Sequence, residues 1–181
     1  MAERQLSPKT MLIILLLSLL CFLTGMKLPE RFSITISDSL RYSLFFLTGF
    51  DADSRVKKGD YVMFHLKNRP EVQEFVSETF REHGEAARHM NNRPVYFIKE
   101  VVCIQGDYFR NDGADYYCNE KYLGRAKQLS SAGRLLNRFH FDGIVPEGHF
   151  AAWGHSEDSF DSRYFGFITI KEVVSTAWPL W

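Results

Sequence analysis

Ser159, Asp161 and Arg163 stand close together in a polar run bounded by glycines, Gly154-His155-Ser156-Glu157-Asp158-Ser159-Phe160-Asp161-Ser162-Arg163-Tyr164-Phe165-Gly166. Small hydroxyls beside an Asp and an Arg suit a hydrogen-bond network that holds another group in place. A solvated hairpin loop accounts for the polarity and the glycines, since turn chemistry is common. It does not account for the two aromatics that follow the Ser-x-Asp-Ser-Arg cluster at once. A second feature is the pair Lys99-Glu100, set inside Pro94-Val95-Tyr96-Phe97-Ile98-Lys99-Glu100-Val101-Val102-Cys103-Ile104. In a strand, Phe97, Lys99 and Val101 share one face and Ile98, Glu100 and Val102 the other, so one charge points inward.

The elements that must position these residues read as mainly β. The chain has 181 residues, no net charge and 45% hydrophobic content, which fits one globular domain with a substantial core. The neutral balance gives no electrostatic reason to expect nucleic acid as a partner. The six histidines lack HExxH or paired-Cys spacing, so neither a metal nor another cofactor is expected. Residues 32–36, 61–66, 94–104, 148–153 and 167–174 read as strands, with turns at Lys58-Gly59-Asp60 and Gln105-Gly106-Asp107. Residues 67–93 read as a helical insertion, with Pro70 in the first turn and Val72, Phe75, Val76 and Thr79 at helical spacing. Residues 108–141 suggest no chemistry.

Residues 11–26, MLIILLLSLLCFLTGM, form an uncharged apolar run closed by Lys27. A cleaved signal peptide lacks its Ala-x-Ala-like site, and a lipoprotein signal lacks a small residue before Cys21. A retained transmembrane anchor over 11–28 is the favoured reading. Arg4 and Lys9 keep residues 1–10 in the cytoplasm and place residues 29–181 outside. That location permits a Cys103–Cys118 disulfide; a buried free Cys103 is the alternative. Trp178 and Trp181 suit either a bilayer surface or the core, with the core expected for at least one.

Taken in order, these segments resemble type I signal peptidases, membrane-anchored serine proteases with a Ser–Lys dyad. Ser39-Leu40 sits where that family has its nucleophile in a Ser-Met-x-Pro pattern. Ile98-Lys99-Glu100-Val101-Val102 through Gly106-Asp107 looks like its lysine strand, usually Lys-Arg-Val-Val before a Pro-Gly-Asp turn. The run from Gly154 to Gly166 is similar to its Gly-Asp-Asn…Ser-x-Asp-Ser-Arg-x-x-Gly motif. The finer resemblance is to the conjugative-transfer, TraF-like branch, through Ser37-Asp38-Ser39-Leu40-Arg41-Tyr42-Ser43-Leu44-Phe45 and Ser-Phe-Asp-Ser-Arg-Tyr-Phe-Gly at 159–166. Two departures stand out: Arg41 replaces the usual proline, and His155 replaces the usual Asp.

The resemblance implies a signal-peptidase-like β domain on one transmembrane helix. Ser39 would be the nucleophile and Lys99 the base, kept neutral by burial among Tyr96, Phe97, Val101 and Val102. His155 is the alternative base, since some relatives use a histidine. Ser159 would orient the amine, Asp161 and Arg163 would hold the loop, and Ser37 with the Ser39 N–H would form the oxyanion hole. The implied substrate is precursor pilin of a conjugative pilus or type IV secretion system, cleaved and in some relatives circularised, by a protein of the bacterial inner membrane with a periplasmic catalytic domain. The implied partners are that precursor and the lipid bilayer. General removal of leader peptides from exported proteins, and an inactive peptide-binding scaffold, are the competing readings.

Overall fold

The computed structural model describes residues 8–27, 29–35, 39–51, 55–66, 69–70, 72–73, 75, 95–130 and 133–181. A helix, α1 (Pro8–Lys27), leads through a 3-10 turn (Pro29–Arg31) into the body. Pro8 opens α1 where its missing N–H costs nothing, and the leucines that follow are good helix formers. The side chains described in α1 run from 12 to 22, and all are exposed. Among the described residues no helix is long and apolar enough to cross a membrane.

The body is two antiparallel sheets. The larger has seven strands in the order β1 (Phe32–Ile34), β2 (Leu44–Gly49), β11 (Val173–Pro179), β3 (Tyr61–Phe64), β4 (Phe97–Ile104), β9 (His149–Trp153) and β10 (Ile168–Thr169). The smaller has the order β7 (Lys121–Arg125), β6 (Asp115–Cys118), β5 (Tyr108–Asp112) and β8 (Asp142–Ile144). Residues 108–141, which suggested no chemistry, therefore supply most of the second sheet. The main core lies against one face of the large sheet and includes Val62, Phe64, Val101, Phe109, Tyr116 and Phe150. A smaller cluster of Leu40, Phe45, Leu47, Tyr61, Ile98 and Ala177 forms on the other face. Such a two-faced β4 is what its alternating sequence dictates. Cys103 and Cys118 are bridged, joining β4 to β6.

The turns at Lys58-Gly59-Asp60 and Gly106-Asp107 meet. Lys58 Nζ donates to Asp107 Oδ1 at 2.9 Å, and the Gly59 N–H donates to the Val101 carbonyl at 2.8 Å. Gly106 adopts φ +86°, which a side chain would strain.

Two expectations are corrected. Residues 167–174 are not one strand: β10 ends at Thr169, a 3-10 turn (Ile170–Glu172) intervenes, and the final strand is β11. The Thr169 amide and hydroxyl both donate to Glu172 Oε2, which stops the strand there. Neither C-terminal tryptophan is in the core, since Trp178 and Trp181 are 56% and 82% exposed. Of the insertion expected over 67–93, residues 70, 72, 73 and 75 are helical, and most of the rest lies outside the described residues.

Candidate active site

Lys99 points from β4 into the main core and is only 5% exposed. Its Nζ donates to Ser159 Oγ at 2.8 Å. Burial lowers its pKa from 10.5 to about 8, with Asp161 pulling it up and Arg163 pulling it down. These two charges sit on one loop and act in opposite directions, while desolvation is the largest cause.

That loop is organised by Asp161. Its carboxylate caps the short helix α2 (Ser162–Phe165) by accepting the Arg163 N–H, and it accepts the Gly154 N–H at 2.8 Å. Arg163 Nε and Nη2 donate to the two carboxylate oxygens at 2.9 and 2.7 Å. The guanidinium also donates to the carbonyls of Arg125 and Ser156, at 2.9 and 2.8 Å, and lies over the Trp153 ring. Ser162 Oγ accepts the Ala152 N–H at 2.9 Å, fastening the loop to β9. Asp161, Ser162 and Arg163 are all essentially inaccessible. A buried pair satisfied this fully holds one geometry, and losing either partner would strand a charge in the core.

Ser39 reaches the same loop through its backbone. Its carbonyl accepts the His155 N–H at 2.8 Å. Ser39 and Ser159 both crowd one face of Gly154: a Cβ placed there would lie 2.0 Å from Ser159 Oγ and 2.9 Å from the Ser39 carbonyl oxygen. The turn carrying Ser39 and the serine that holds Lys99 therefore meet over the same face of one glycine. Arg41, in place of the family's proline, is exposed. Ser37 lies outside the described residues.

The family model described as "Signal peptidase, peptidase S26" matches residues 7–181. The chain belongs to the signal peptidase family. A relative in that family, Signal peptidase I of Bacillus caldolyticus, is 31% identical over 106 residues, covering 50% of this chain. The chain spans 58% of the length of that curated relative. A signal peptidase I crystal structure from Enterococcus faecalis V583 aligns over 68% of this chain and 97% of its own at 18% identity, with a TM-score of 0.35.

Within this signal peptidase family member, the structure brings Lys99, Ser159, Asp161, Arg163 and the Ser39 backbone together. His155 faces away from Lys99's hydroxyl partner and binds Glu100 Oε2 through Nε2 at 2.8 Å. Sequence reasoning missed three contributors: Ser162, Gly154 as a spacer and Arg69. Arg69 donates to the carbonyls of Phe165 and Phe167 at 2.5 and 2.7 Å, and Phe75 stacks on Phe160 with centroids 4.0 Å apart. The start of the insertion thus grips the middle of the loop and its C-terminal end. Ser162 carried a signal, being inside the motif; Arg69 carried none.

Proposed function

We propose that this protein is a membrane-anchored serine endopeptidase that cuts exported precursor proteins outside the bilayer, with Ser39 as nucleophile and Lys99 as general base. The observation that carries the reading is a lysine buried in the core, with its pKa lowered to about 8, whose amine is held by Ser159 beside the Ser39 turn. Neutral Lys99 takes the Ser39 proton as Oγ attacks the scissile carbonyl. The Ser39 N–H and the Ser37 hydroxyl are assigned to the resulting oxyanion. Protonated Lys99 then delivers its proton to the leaving amine, and a water, or an amine from the substrate, resolves the acyl-enzyme.

The anchor is residues 11–28, with residues 1–10 cytoplasmic and the catalytic domain periplasmic. An apolar helix exposed on every described side chain needs a cover, and lipid supplies one. Phe32, Phe46 and Trp178 are register partners across β1, β2 and β11, and exposed Ile34, Trp178, Leu180 and Trp181 give that edge an aromatic, apolar surface suited to a headgroup layer.

The substrate we assign is precursor pilin of a conjugative pilus, on the strength of the Ser-Phe-Asp-Ser-Arg-Tyr-Phe-Gly ending at 159–166. General leader removal is favoured by the name of the Bacillus caldolyticus relative. Incubation of purified protein with candidate precursors, read by intact mass, separates the possibilities. Loss of a leader supports the peptidase, a further loss of one water indicates circularisation, and unchanged masses throughout would leave a peptide-binding scaffold.

A further inference from the structure

Glu100 follows Lys99 in β4 and faces the opposite side of the sheet. Its Oε2 accepts two hydrogen bonds, from the Tyr61 hydroxyl at 3.1 Å and from His155 Nε2 at 2.8 Å. Each donor leads to the turn that carries Ser39. The His155 main-chain N–H donates to the Ser39 carbonyl at 2.8 Å, and the Tyr61 ring meets the Tyr42 ring edge-on with centroids 5.9 Å apart. One carboxylate thus ties both ends of residues 39–42 to the strand that bears the lysine. Tyr61 is suited to the task, because burial and then Glu100 itself push its hydroxyl up and keep it a donor.

The motif patterns give the pair a second meaning. The family's lysine strand usually continues Lys-Arg, and its last motif usually begins Gly-Asp; here those positions hold Glu100 and His155. The acid and its nitrogen-bearing partner have exchanged places, and the two exchanged residues touch. Read singly, His155 is a departure that argues for an inactive relative. Read together, the two substitutions place an acid and an imidazole in contact at 2.8 Å.

We propose that Glu100 and His155 are positioning residues that hold the Ser39 turn in register with Lys99. The proposal rests on Ser39 being the nucleophile. The side chains are 26% and 32% exposed, so their contact contributes little to stability; its value is in placing a reacting atom.

The test uses the full chain in detergent micelles as wild type, Glu100→Arg, His155→Asp and the double variant, which restores an ion pair with the charges exchanged. Two quantities are measured: kcat and KM for a precursor substrate, and hydrogen exchange at the His155 amide, which reports the Ser39 contact without any turnover. Each single variant should lower kcat on the order of 100-fold with KM little changed, and speed exchange at least about tenfold. The double variant should recover most of both losses, a non-additivity that two unrelated sites would not produce. Unchanged exchange at His155 in the single variants, or a double variant no better than the singles, would overturn the proposal. Wild-type protein that cleaves nothing, while the exchange pattern holds, would instead remove Ser39 as nucleophile and leave the positioning intact.

Discussion

Turnover of a precursor substrate should follow the titration of a single amine, Lys99. The lysine is 5% exposed, and burial brings its pKa from 10.5 to about 8. By the titration equation the neutral base is then about one molecule in eleven at pH 7, half at pH 8 and about ten in eleven at pH 9. Accordingly kcat/KM should rise about fivefold from pH 7 to 8, less than about twofold from 8 to 9, and then level off. A lysine left at 10.5 would still gain about tenfold per pH unit at pH 9. The same shift links to stability. Between pH 8 and 10.5 the unfolded chain holds the proton more tightly than the folded one, so stability rises with pH across that window. Below pH 8 both states are protonated and the whole cost of burying the charge, about 3 kcal/mol, is present. The assay is initial rate against pH at saturating and subsaturating substrate, with thermal melts in the same buffers. A flat profile from pH 6 to 10, or a midpoint above 10, would refute a buried lysine base.

Lys99→Met should abolish turnover yet raise stability at pH 7 by about 2 kcal/mol, since it removes the buried charge and forfeits one hydrogen bond of about 1 kcal/mol; chemical denaturation checks it. Gly154→Ala should cost at least about 100-fold in kcat, because the added carbon must displace Ser159 or the Ser39 carbonyl; kinetics beside a melting curve separates this from unfolding. Asp161→Asn leaves Arg163 without its buried partner and should destabilise the protein by about 3–5 kcal/mol. In whatever fraction folds, the activity midpoint should move to lower pH, because Asp161 is the group raising the Lys99 pKa. Reducing the Cys103–Cys118 bridge, 15 residues apart, should cost about 3 kcal/mol, read as a lower Tm in reductant.

The parts of the site that were legible in the sequence are those encoded locally. The Ser159–Asp161–Arg163 network closes over five residues, so its composition announces it, and strict alternation in β4 decides that Lys99 and Glu100 face opposite ways. Which of them points inward depends on packing against β9 and the second sheet, which no local pattern carries. The partnership of Glu100 with His155 joins residues 55 apart, which no local pattern announces. The misplaced last strand was avoidable in principle, because Thr169-Ile170-Lys171-Glu172 is a capping box that interrupts an otherwise strand-like run. The tryptophans misled because aromatic residues usually seek the core, whereas Trp178 and Trp181 are exposed beside the β1–β2 end of the large sheet.

The place of β11 governs when the chain becomes competent. Strands β1 and β2 flank the serine turn, while β3, β4 and β9 carry or support the lysine and its loop, and β11 is the seam between the two groups. It is also the last of these strands to leave the ribosome. Until residues 173–179 arrive, two sheet edges stay unpaired, and the turn carrying Ser39 is joined to the lysine strand only through the contacts of residues 39–42. A nascent chain still short of that strand lacks the seam that joins the two halves of the proposed site, and the sheet closes only with its final stitch.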